Sequence, residues 1–178
     1  MFKTVAKILV AAVAALLLLS GCANPGPQVA AVVGSDQITV SQVDTLSRAA
    51  SAAYAQVGSE SVPTWGQLRA PVVNVMVTGR LVAVAMQIAN VQVTDAQLSQ
   101  LYSSDDFLKA LAADPNGTEL AKALAYMSLA QNSDAVQATY AQAVTNNPVT
   151  VNPQFGVWDP STASLSGKTG SLSSEPSS

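Results

Sequence analysis

The chain has 178 residues, of which 49% are apolar, 11% charged and 5% aromatic, and its net charge is −3. That length carries one domain with appendages rather than two full domains, and charge so far below the usual roughly one quarter leaves the solvated faces to Ser, Thr, Gln and Asn. Histidine is absent, which removes the usual general base and the imidazole metal ligand, and the lack of a basic stripe argues against a nucleic-acid partner.

Lys3 and Lys7 precede an apolar run from Ile8 to Leu19. The run falls short of the roughly 20 residues that a bilayer-spanning helix needs and suits a signal peptide over residues 1–21. Leu19-Ser20-Gly21-Cys22 follows directly and resembles the lipobox of bacterial lipoproteins, in which the Cys is diacylated and becomes the new N-terminus. The resemblance implies that Cys22, the single cysteine, is a lipidation site and that the protein is anchored in a membrane of the bacterial envelope on its extracytoplasmic face. Two acyl chains give stable attachment where one is marginal. Cleavage removes both lysines and leaves six basic against eleven acidic side chains, a net charge of −5. Residues 22–28, with two prolines and a glycine, then form the lipidated Cys and a short spacer.

A domain over residues 29–159 follows. Val29 to Val33 and Ile38-Thr39-Val40 read as strands around the turn Gly34-Ser35-Asp36-Gln37. Ser41, with Asp44 three residues on, has the spacing of a capping box and opens a helix whose apolar row is Val43, Leu46, Ala50, Tyr54 and Val57. Gly58 to Pro63 breaks it. The longest helix runs from Thr64 to Asn90, with Trp65, Leu68, Val72, Val75, Gly79, Val82 and Met86 in steps of three and four; its valines lower intrinsic helicity, so packing must hold it. Gly79 on that seam lets a neighbouring helix approach closely.

After the joint Val91-Gln92-Val93, Thr94 with Gln97 caps a helix over Asp95 to Tyr102, and another covers Asp105 to Ala112. Asp114-Pro115-Asn116-Gly117 is a turn, and Thr118 caps a helix to Gln131 with Leu120, Leu124 and Met127 buried. Ser133 caps the last helix, carrying Val136, Tyr140 and Val144, and Asn146-Asn147-Pro148 ends it. Val149-Thr150-Val151 is a strand that can pair with Val29 to Val33. The fold class is therefore mainly α, with a small β pairing of the N- and C-terminal strands. Residues 160–178, rich in Ser, Thr and Gly, are expected to be disordered.

Three segments in order carry a resemblance. Val29 to Asp44 resembles the opening of the N-terminal chaperone domain of SurA- and PrsA-type extracytoplasmic folding factors, and Val91-Gln92-Val93-Thr94-Asp95-Ala96-Gln97-Leu98 resembles its joint into a short helix. Val149 to Asp159 is similar to the strand with which lipoprotein members return to the N-terminal one. The resemblance covers Val29 to Asp159. It implies an ATP-independent helical cradle that binds unfolded, exported polypeptides. Full members also carry a parvulin-type prolyl isomerase domain whose active site commonly includes His; this chain has neither the length nor a His, so the expectation is binding without isomerase activity, and not an enzyme. A dedicated subunit docking one specific envelope protein is the alternative. Apolar grooves with Met accommodate partners of varied sequence, which makes Trp65, Met76, Met86, Tyr126 and Met127 the candidate peptide-binding residues; each is also a natural core residue.

Other motifs dissolve on inspection. Gly167-Lys168-Thr169 lacks the first Gly of a phosphate-binding loop, and Lys168-Thr169-Gly170 has no Ser-x-x-Lys to supply a nucleophile. Asp105-Asp106 sits at a helix start, where carboxylates complement the helix dipole. Asn116-Gly117-Thr118 fits a glycosylation acceptor and also a turn followed by a helix. No spacing suggests a metal or cofactor.

Overall fold

Three helices begin on one device, a Thr–x–x–Gln capping box. In the computed structural model, which describes residues 26–166, Thr39, Thr64 and Thr94 accept from the backbone of Gln42, Gln67 and Gln97, whose side chains accept in return from the threonine N–H groups. Each reciprocal pair satisfies two backbone donors that a helix start leaves unpaired. They open α1 (Val40–Gln56), α2 (Trp65–Ile88) and α3 (Asp95–Ser104). The expected cap Ser41 is thus already inside α1. Thr39 holds the extended geometry that a cap requires, and Gln42 stands three residues on, where Ser41 would rely on Asp44.

The chain continues through α4 (Asp106–Ala113), α5 (Thr118–Gln131) and α6 (Asp134–Asn146). Asp105 caps α4 by accepting from Leu108 N at 2.8 Å, and Ser133 caps α6 by accepting from Val136 N at 3.4 Å. Thr118 does not cap α5. The cap position is Gly117, with no side-chain bond, while the Thr118 hydroxyl turns back to the Asp114 carbonyl at 3.2 Å.

Strands β1 (Val29–Val33), β2 (Asp36–Thr39) and β3 (Val149–Val151) form an antiparallel sheet in the order β2-β1-β3. Val33 lies opposite Val149 and Ala31 opposite Val151, so the two ends of the domain close on each other as the apolar pattern suggests. Asn152 extends the closure, its N–H donating to Ala30 O at 2.8 Å and its side-chain amide to Val29 O at 3.2 Å. Gly34 turns β1 into β2 with φ of 59°, a region costly for other residues, and Asn147 leaves no room there for a Cβ.

A second hairpin, β4 (Val157–Asp159) with β5 (Ser164–Ser166), corrects the expectation of disorder from residue 160. Leu165 supplies the reason: it packs with Trp158 against the main core, and its N–H donates to Asn74 Oδ1 of α2 at 3.0 Å. Residues 167–178 and residues 1–25, with the expected signal peptide and Cys22, lie outside the described residues.

α2 is the axis of the molecule. It packs against α1, α5 and α6 and against β1, and buried residues surround it: Val72, Val73, Met76, Val77, Leu81, Val82, Ala85 and Met86. Its length and mean hydropathy, 1.5 over its most apolar window, would let it cross a bilayer; half of that window is buried within the protein. The seam read from the sequence is only partly the buried face, because Trp65 is exposed and Leu68 and Val75 are half-buried. Arg80 ties three elements from the same helix, lying 3.4 Å from both Asp36 of β2 and Glu119 of α5.

The tightest crossing is at Gly79, where an added Cβ would stand 2.7 Å from Ala123 Cβ and 3.1 Å from its Cα. Gly79→Ala should lower unfolding free energy by about 1–2 kcal/mol, overpacking outweighing alanine's better helix propensity. Adding Ala123→Gly should restore part of the loss in a urea-denaturation double-mutant cycle. A Gly79→Ala chain more stable than the parent would contradict this packing.

Candidate functional site

α6 follows α5 and lies along the C-terminal half of α2, so its apolar row is offered to two helices at once. Val136 and Ala143 are buried there with Val82, Ala85, Met86 and Ala130 in a second apolar cluster, distinct from the main core under α1 and β1. The Thr139 hydroxyl donates to Ala85 O at 2.9 Å and clamps α6 onto α2. Towards the surface the three helices diverge and leave an open cleft of about 420 Å³. Val82, Met127, Ala130, Val136 and Tyr140 form its walls, with Thr78, Gln131 and Gln137 at the polar positions. No lining residue carries a formal charge at neutral pH. The size falls at the small end of the range of about 300–1,000 Å³ typical of ligand sites.

The five residues singled out from the sequence separate. Met127 is half-buried and lines the cleft. Met86 belongs to the same cluster but is only 3% exposed, beneath the floor, and Met76 is 2% exposed in the main core. Both side chains are buried and pack within the apolar clusters. Tyr126 flanks a shallower hollow on α2 and α5 with Lys122 5.4 Å above its ring. Trp65 is 37% exposed but stands on the first turn of α2, about 25 Å along the helix axis from Val82.

What the sequence reading missed is Tyr140 as a wall of the cleft. Its place at i+4 from Val136 marks a buried row, and it does pack on both clusters. A tyrosine serves equally as core filler and as a surface with a polar tip, and only the divergence of the helices decides between them. The catalytic possibilities are few: among the described residues no group of three His, Cys, Asp or Glu side chains could hold a metal, and the cleft presents no acid–base pair. Its chemistry is apolar contact with hydrogen bonds at the edge.

No protein-family model, curated protein or solved structure matches this chain.

Burial raises the Tyr140 phenol above the ordinary 10.0. The folded protein therefore holds that proton more tightly than the unfolded chain, and the stability this adds is complete below about pH 10 and lost as pH rises through the raised value. Tyr102 is raised as well, mainly by burial. Tyr140→Phe should thus remove part, not all, of the stability loss seen in denaturation curves above pH 10, and spectrophotometric titration should lose one late-ionising tyrosine. An unchanged alkaline profile would mean that the ring is solvated.

Proposed function

We propose that this chain is a lipid-anchored, extracytoplasmic chaperone-like protein that binds exported, non-native polypeptides without prolyl isomerase activity. The observation that carries the reading is the open, uncharged cleft between α2, α5 and α6. An apolar wall with a flexible methionine and an amphipathic tyrosine accepts side chains of different shape, and the neutral edge imposes no charge on the partner. Thr78, Gln131 and Gln137 can bond to a bound backbone, the contact that unfolded chains share. The lipobox-like Leu19 to Cys22 supports the location, and the strand closure and capped helices fit the resemblance to folding-factor chaperone domains.

One observation favours a second reading, a dedicated subunit docking one specific envelope protein. Met76 and Met86 are buried, so of the three methionines in the domain only Met127 is free to adapt, and a small cleft with one adaptable side chain discriminates more than a broad one.

The mature chain at stoichiometric amounts, without ATP, should suppress aggregation of two unrelated unfolded proteins, and Met127→Gln combined with Tyr140→Gln should remove most of that effect while circular dichroism stays native. Failure against both proteins by a folded chain would overturn the general reading; the second would then require one protein to copurify with the wild type and be lost from the double variant.

A further inference from the structure

Trp65, left apart from the cleft, is the only exposed aromatic among the described residues. The Arg48 guanidinium lies 4.2 Å from its ring centroid and that of Arg69 5.9 Å. Arg69 also covers Phe155 at 4.9 Å and donates to Asp44 at 2.7 Å. Arg48 is exposed and makes no ion pair among the described residues. An acidic chain, with six basic residues left after cleavage, has therefore set two of them on its one exposed aromatic ring.

The entering chain is tied to the start of α1, the helix that carries Arg48. Gln28 O accepts from Val40 N at 2.9 Å, and Arg48 is two turns further along α1, about 12 Å. From the other side, Asn152 grips Val29 and caps the turn Pro153–Phe155, which brings Phe155 under Arg69. Cys22 is four residues before Gly26, and four residues span at most about 14 Å. The tether that joins Cys22 to the domain is therefore short, which keeps the domain close to a bilayer holding Cys22.

We propose that Arg48, Trp65 and Arg69 form a docking face that seats the domain on anionic lipid headgroups of the membrane anchoring Cys22; this rests on the lipidation reading above. The indole is amphipathic and suits the headgroup level, the unpaired Arg48 guanidinium can pair with lipid phosphate while Arg69, held by Asp44, supports the ring, and the −5 chain is repelled from an anionic surface elsewhere. The face adds orientation to an attachment that the acyl chains already supply.

The test uses the full acylated mature chain carrying Trp158→Phe, so that Trp65 is the only indole, in vesicles of phosphatidylcholine with and without phosphatidylglycerol. On anionic vesicles Trp65 emission should shift to the blue, lose access to an aqueous quencher and become quenched by lipid brominated near the headgroup. Arg48→Gln or added salt should reverse these changes, since screening weakens such contacts. If Trp158→Phe does not fold, the difference spectrum between wild type and Trp65→Phe on the same vesicles reads the same property. An acylated chain whose Trp65 is as accessible on anionic as on neutral vesicles would overturn the docking face alone. An intact mass without acyl chains at Cys22 would overturn the anchor, and the docking face with it.

Discussion

The burial of α2 on nearly every side is the constraint from which the rest of the structure follows. A helix of 24 residues, about 36 Å long, cannot solvate valine, methionine and leucine on all its faces, so other elements must be wrapped around it. α1 and the sheet cover its first half, and α5 and α6 its second. Valine is a poor helix former because its branched Cβ restricts rotamers against the preceding turn. Helical geometry in α2 is thus held by tertiary contact, and Gly79 against Ala123 is where that contact is closest. The cleft lies where α5 and α6 cover α2, lined by residues of all three helices.

Much of this was legible from the chain alone, and the legible parts share a cause. Capped starts at Thr94 and Ser133, the break at Gly58 to Pro63 and the turn at Asp114 to Gly117 are local, each decided by a few adjacent residues with limited conformational choice. Pairing of Val149–Val151 with Val29–Val33 is remote in sequence, yet it was readable because short β-branched segments at both ends of a helical chain have few other places to satisfy their backbone groups. Where two local solutions were close, the reading slipped: Thr39 and Ser41 are both good caps, and extended geometry at Thr39, set by its pairing with Val29, decides the matter. The hairpin at Ser164–Ser166 was hidden because composition averages over a window, whereas one leucine with one backbone bond to Asn74 is enough to hold a short strand.

The site was less legible than the fold. Choosing methionines and aromatics selects residue types able to bind, but exposure is a property of the packed whole. Met76 and Met86 differ from Met127 in nothing the sequence displays except their place on the most enclosed helix. A helix buried all round gives its methionines to the core, whereas Met127, near the C-terminal end of α5, is left at the margin. Tyr140 was visible as apolar periodicity and invisible as a wall for the same reason.

Trp65 and the cleft lie apart along one helix. Trp65, Arg48 and Arg69 flank the first turns of α2, while Val82 and the cleft are about 25 Å further along. That distance exceeds the roughly 8–10 Å over which surface charge is felt at ordinary ionic strength. Charges around Trp65 therefore have little influence at the neutral cleft. The low charge of the chain shows at both places: of Arg48, Arg69 and Arg80 only Arg48 has no ion-pair partner among the described residues, and the uncharged walls of the cleft leave its contacts to shape and apolar surface.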